Sequence, residues 1–289
     1  MTLAERLTEF AAGLEFDDLP ADVVASVRLR TLDILGIALA SSTSELAPSV
    51  LGALQGWGSG ACSVVGSRLT ASPPLAALAN GALAHGLDFD DTHAVSITHA
   101  SAVVLPTVLA LGEASGHDGR ALVTAAVAGY EAMTRLGMAA PGEFHAHGWH
   151  ATAVCGTFAA ALAAGRLERL DRARLTAALG IAGSFASGVI EHLEDGSWVK
   201  RVHPGWAAHS GVVAAGLARR VLRARHDSRG PLRLLSYVSP LGARPDAIRH
   251  AREGVGDAPH RVQAVPVLPL QPRVSRLRAR ASPRAPDRA

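Results

Sequence analysis

Apolar residues recur every three or four positions through most of residues 1–218, the spacing of helices with one face turned to a core. Thr2-Leu3-Ala4-Glu5 has the form of a capping box and opens a first helix with Leu3, Leu7, Phe10 and Leu14 on one side. After Pro20 a second helix is expected, with Val23, Val27, Leu32, Leu35 and Leu39 facing inward. Cys62 to Gly66 reads as a short extended piece between glycines. Pro74 then opens an Ala-rich helix to about Gly86, and further helices fit 101–115, 119–138, 150–165, 172–191 and 205–224. No run of alternating strands interrupts them, so the pattern predicts an all-α fold. The helices are rich in small residues, as in Ala159-Ala160-Ala161-Leu162-Ala163-Ala164-Gly165, which lets backbones approach closely. Helices apolar on most faces also suggest burial against a partner subunit, and a homodimer is expected.

Charge divides the chain in two. Residues 1–218 hold 12 Lys+Arg against 20 Asp+Glu; residues 219–289 hold 16 Arg against 5 acids and 9 of the 16 prolines. The first part is expected to be one helical domain. The second breaks every helical window and is expected to be an unstructured basic tail rather than a nucleic-acid arm. Two cysteines, Cys62 and Cys155, exclude a disulfide scaffold or a four-cysteine metal site. The chain start lacks the basic and apolar runs of a signal peptide, and the longest weakly polar run, 151–165, is too short to span a bilayer; a cytoplasmic protein without membrane contact is expected. Of 28 basic residues only Lys200 is lysine, and a compact ammonium retained among arginines suggests a task that guanidinium cannot perform.

Three polar clusters could carry chemistry. His85 to His99 packs three imidazoles (His85, His93, His99) and three carboxylates (Asp88, Asp90, Asp91) into 15 residues, costly unless they pair or bind something. Divalent-metal binding and acid–base chemistry on an anion both fit the residue types, and one of Asp90 and Asp91 is expected to cap the following helix. His145-Ala146-His147-Gly148-Trp149-His150 ends at a helix start, where backbone N–H groups favour a carboxylate; His145 and His147 read as exposed loop residues. Lys200, Arg201 and His203 lie ahead of the last helix and, with His150, would form an anion site for two or three carboxylates. No P-loop, G-x-G-x-x-G, H-E-x-x-H or G-x-S-x-G motif is present, so nucleotide cofactors and serine hydrolysis have no support.

Leu87-Asp88-Phe89-Asp90-Asp91-Thr92-His93, Ile97-Thr98-His99, Gly129-Tyr130-Glu131, Gly148-Trp149-His150-Ala151-Thr152 and Asp195 to Gly205 resemble, in order and in register, the MmgE/PrpD family. Ala100 departs from it, where the family usually has proline. The resemblance covers about residues 3–219 and implies a large helical domain with a smaller lid, usually dimeric. It implies action on small di- and tricarboxylates without a metal or other cofactor, as in 2-methylcitrate dehydratase, cis-aconitate decarboxylase and iminodisuccinate epimerase. By position it assigns Asp88, His99, His150 and Lys200 to catalysis, and Thr92, Lys200 and His203 to substrate binding. A hydro-lyase of the 2-methylcitrate dehydratase type is the expectation, with epimerase or decarboxylase chemistry, or a non-catalytic helical protein, as alternatives.

The family's lid carries a Tyr-Pro-Cys-Cys-His stretch that this chain lacks. Back-translation of 221–235 and 262–272 in one neighbouring frame allows two lid-like runs in order. A single-base shift near codon 219 is therefore expected, leaving a lid-less chain of weak or no activity.

Overall fold

The computed structural model describes residues 3–220. The expectations for the tail beyond Arg220, including the reading-frame shift, lie outside the described residues. In chain order the helices are α1 (Leu3–Gly13), α2 (Ala21–Ser41), α3 (Ala47–Gln55), α4 (Pro73–Ala84), α5 (Ser101–Ser115), α6 (Gly119–Ala139), α7 (Glu143–Ala146), α8 (Ala151–Leu167), α9 (Arg172–Phe185), α10 (His192–Asp195) and α11 (Val199–Arg219). Two-residue strands β1 (Cys62–Ser63) and β2 (Thr70–Ala71) pair antiparallel between α3 and α4. The all-α expectation holds. Among the described residues no helix is long and apolar enough to cross a membrane.

The core is built round α8, buried from Ala151 through Gly165. Helices α5, α6, α9 and α11 pack against it, and α11 also packs along α4. These approaches depend on missing side chains. A Cβ on Gly81 of α4 would lie 2.7 Å from the Cα of Gly205 in α11, and one on Gly205 would strike the Leu78 carbonyl. The start of α11 is thereby held against the end of α4, where the site lies.

Three expectations are corrected. Leu32, Leu35 and Leu39 of α2 point to solvent, at 70%, 37% and 58% exposure, while Val27, Ile34, Ile37, Ala38 and Ser41 face the core. The helix carries two apolar stripes, and periodicity alone cannot choose between them; the stripe ending in small Ala38 and Ser41 permits the closer approach. The expected helix 172–191 ends at Phe185, because Gly188 takes φ +111, outside helical space, and the chain there pairs with Trp149. The last helix starts at Val199, not 205, and ends at Arg219. Pro204 sits in its second turn, where proline removes only the bond to the Lys200 carbonyl. Lys200, Arg201 and His203 therefore ride on the first turn of α11 instead of preceding it.

Candidate active site

His85 caps the C-terminus of α4, and the chain then turns back through Asp88, held at φ +56, a conformation aspartate tolerates better than most side chains. The turn brings Asp90 beneath His85, whose Nδ1 lies 2.8 Å from Asp90 Oδ1; both side chains are fully buried. His99 Nδ1 stands 3.4 Å from the other Asp90 oxygen and 3.3 Å from Thr92 Oγ1. Behind this loop Asp91 pairs with Arg30 and accepts the backbone N–H of Ser101, the first residue of α5, at 3.3 Å. Asp91 is thus the expected helix-capping aspartate, acting from ten residues upstream.

Lys200 reaches over from α11 and donates to both Asp88 oxygens, at 2.6 and 2.7 Å. Three residues on, almost one turn, His203 shares its face. His203 Nδ1 lies 3.0 Å from Nδ1 of His150, the N-cap of α8. A short ladder places His150: its N–H donates to Gly188 O at 2.9 Å, and Ile190 N–H donates to Gly148 O at 3.0 Å. The same ladder delivers His192, at the start of α10, with its ring 5.6 Å from both His150 and His203. His85 connects the two groups, its ring 4.6 Å from His99 and 6.4 Å from His150.

The six residues assigned by the resemblance, Asp88, Thr92, His99, His150, Lys200 and His203, therefore meet in one constellation; Arg201, also expected at the anion site, lies over the Trp198 ring at 5.3 Å. His85 and Asp90 join it as a buried pair within the first cluster. His192 and His145 were missed. His145 was expected to be an exposed loop residue; short α7 instead leaves it half-buried, 6.2 Å from the His150 ring, while His147 stays exposed. His192 fell at the end of a helix that does not extend so far. The signal that could have found it is Gly188, a helix terminator four residues upstream.

The constellation is electrostatically divided. Burial would raise the Asp90 carboxyl, but hydrogen bonds and charge from His85 and His99 outweigh it and hold Asp90 far below the usual carboxylate range. Burial likewise works against charge on His99, yet Asp90 prevails and raises that imidazole above its ordinary value. Asp88 is lowered, the effect of burial being overcome by Lys200, His85 and His99. Across the site the sign reverses. Burial, then the neighbouring His203, His85, His99 and Lys200, drives His150 far down. Burial, His192, His85 and Lys200 lower His203 to about 4. His192 and His145 are also lowered, burial leading in each case.

His85, Asp88, Asp90 and His99 each offer a ligand atom within 4.8 Å of the others, close enough to surround a metal ion. The fit is poor on charge: the Lys200 ammonium already occupies both oxygens of Asp88 and would face a divalent ion across that carboxylate. The arrangement suits an organic anion better. Lys200 and His99, an imidazole raised by Asp90, flank one side, neutral imidazoles line the other, and Lys200 and Asp88 keep 25% and 50% side-chain exposure for its entry. Phe89, Trp149, Val189, Leu193, Trp198 and Val199, each next to or near a site residue in sequence, are exposed apolar side chains.

Comparison with known proteins agrees with this geometry. Residues 5–229 match the family model of the MmgE/PrpD N-terminal domain. The chain is 32% identical over 223 residues to a cis-aconitate decarboxylase of Aspergillus terreus, covering 75% of this chain and 45% of that protein. It is 30% identical over 252 residues to the cis-aconitate decarboxylase of Mus musculus, covering 84% and 49%, and 30% identical over 227 residues to that of Homo sapiens, covering 75% and 46%. The chain spans about half the length of the curated relatives it matches. The constellation lies wholly inside the matched segment, and the chain belongs to the MmgE/PrpD family.

Proposed function

We propose that this chain carries the helical-domain half of a lyase site for small di- and tricarboxylates, with decarboxylation of a cis-aconitate-like acid as its first reading. The observation that carries it is the divided constellation: Lys200 and an imidazole raised by a buried carboxylate on one side, and a row of lowered imidazoles on the other. Lys200 and His99 bind substrate carboxylates and offset negative charge as it develops. When the bond to one carboxylate breaks and CO2 leaves, the electron pair stays on the substrate, and a proton must be delivered to carbon. His99, made more basic by Asp90, is the acid suited to that step. Asp88 orients Lys200, Thr92 fixes the His99 ring, and His150 and His203 line the opposite wall. No step needs a metal or cofactor.

Decarboxylation takes precedence over the expected dehydration because the relatives described above are named as decarboxylases. Dehydration of a 2-methylcitrate-like hydroxy acid is the second reading. It needs a base and an acid on opposite sides of the substrate, and the imidazoles of His150 and His99 stand in the two groups. The exposed apolar side chains near site residues in sequence support cover by a lid of the family type. Exposed Leu29, Leu32 and Leu39 on α2 support the expected homodimer. The deciding assay incubates the purified chain with cis-aconitate and with 2-methylcitrate, following CO2 release and unsaturated-acid absorbance separately. CO2 release that Lys200→Ala abolishes supports the first reading; absorbance change without CO2 supports the second. Tricarboxylate binding unaffected by Lys200→Ala would remove the basis of both.

A further inference from the structure

Two imidazoles of the site carry a buried ring nitrogen without a hydrogen-bond partner, His85 at Nε2 and His192 at Nδ1. His85 has Asp90 on its other nitrogen and Asp88 Oδ1 at 3.6 Å, whereas His192, 7% exposed, packs against the rings of His150 and His203. A polar atom left so costs free energy unless a water or a ligand group meets it. The His192 ring stands edge-on to His150 and to His203, with interplanar angles of 71° and 74°. The carboxylates of the constellation are occupied elsewhere: Asp88 by Lys200, Asp90 by His85 and His99. The three rings therefore form a group of proton acceptors with no counter-ion of their own.

We propose that His192 is a third imidazole of the substrate-carboxylate subsite and takes up a solvent proton at Nδ1 when a carboxylate seats beside His150 and His203. The proposal rests on the carboxylate reading above and deepens it. The charged groups facing His192 explain why the proton waits for the ligand. Lys200 on α11 and His85 at the end of α4 disfavour a positive charge there, as does burial; Asp195 on α10 and the Val189 carbonyl favour it, but less. His150 and His203, packed against the ring, and His145 on α7 are themselves held neutral. An arriving carboxylate supplies the missing negative charge, so anion and proton enter together. The balance is simple: a buffer acid loses H+, the neutral imidazole becomes imidazolium, and no covalent bond to the ligand forms.

The test uses the full 289-residue chain and propane-1,2,3-tricarboxylate, a tricarboxylate with neither hydroxyl nor double bond to react. Calorimetric titration near pH 7 in two buffers of different ionisation enthalpy reads affinity and proton uptake together. The parent is expected to bind with net uptake. His192→Phe, which keeps a ring to pack against His150 and His203, is expected to lose most of that uptake and about tenfold in affinity. His192→Asn, which can hydrogen-bond but not protonate, should recover affinity and not uptake. Circular dichroism confirms that each variant is folded. If the parent binds and both variants match it in uptake, the assignment of His192 fails while the carboxylate reading stands. If the parent binds no tricarboxylate, both fail.

Discussion

The two sides of the site put the same side chain in opposite surroundings. His85 and His99 lie against Asp90 and share a buried carboxylate; His150, His192 and His203 lie against one another. Both groups are withdrawn from water, so burial does not distinguish them. The difference is the presence of a carboxylate in one group and its absence in the other. In the first, the protein supplies the counter-ion and raises His99; in the second, the site is left one anion short. A buried carboxylate thus separates the two groups: it raises His99, while His150, His192 and His203 respond to burial and to neighbouring positive charge.

Breaking the first group should have the largest effect. Asp90→Asn removes the buried carboxylate that raises His99 and that the His85 ring is bonded to. Losing one side of a buried pair costs about 3 kcal/mol. Loss of a working acid costs about 10²–10⁴-fold in rate. Thermal melts should show the first and turnover of cis-aconitate the second. An Asp90→Asn protein with parental activity would mean that His99 is not the acid.

The second group depends on backbone placement. Gly188 takes φ +111, and a Cβ there would fall 2.5 Å from the Ala153 Cβ and 3.6 Å from His203 Nδ1. Gly188→Ala should cost about 2 kcal/mol through strain and overpacking. It should weaken tricarboxylate binding while leaving the Asp90 group in place, so residual binding retains its dependence on Lys200. A variant as stable and as tight-binding as the parent would show that the ladder from Gly148 to Ile190 does not position the imidazoles.

Acid should separate the groups without mutation. His150, His192, His203 and His145 have folded pKa values below their unfolded ones. Below about pH 6.5 the unfolded chain binds protons that the folded chain refuses, so stability is lost as pH falls, down to about 4 for His203. His99 has the opposite sign: its contribution is complete below its unfolded value and fades as pH rises through its raised folded value. With four groups against one, melting at pH 5 should cost about 1–2 kcal/mol relative to pH 7, after allowing for solvent screening. His203→Gln should flatten that slope. A melting temperature that rises on acidification would contradict neutral imidazoles.

How much of this was legible in the sequence depended on locality. Asp88 and His99 are near neighbours in one loop, and Lys200 and His203 fall three apart, so their types and spacing were enough to single them out; Thr92 was assigned only by the family resemblance. Helices α5, α6 and α8 were placed within a residue or two because their apolar runs end at Gly, Asp or Pro signals. The missed features all depend on tertiary contact. His192 reaches the site because a loop pairs with residues 148–150, which no periodicity encodes. The solvent-facing leucines of α2 were expected inside because two apolar stripes on one helix look alike until a neighbour chooses between them.

The smallest effect expected is at the edge of the first group. Thr92 is exposed, and its hydroxyl meets His99 Nδ1 at 3.3 Å, long for a hydrogen bond. The other restraints on His99 are stronger: Asp90 beside its ring, and its backbone N–H donated to Thr152 Oγ1 at 3.1 Å. If Asp90 sets the protonation of His99 and Thr92 only steadies the ring, Thr92→Val removes about 0.5–1 kcal/mol of orientation. That corresponds to about a two- to fivefold loss in turnover or tricarboxylate affinity, with the pH dependence and the melting temperature unchanged. Thr92→Ser should restore most of the loss. A shift in the pH profile of Thr92→Val would place part of the control of His99 in the hydroxyl, and the division between the two groups would then rest on more than the buried carboxylate.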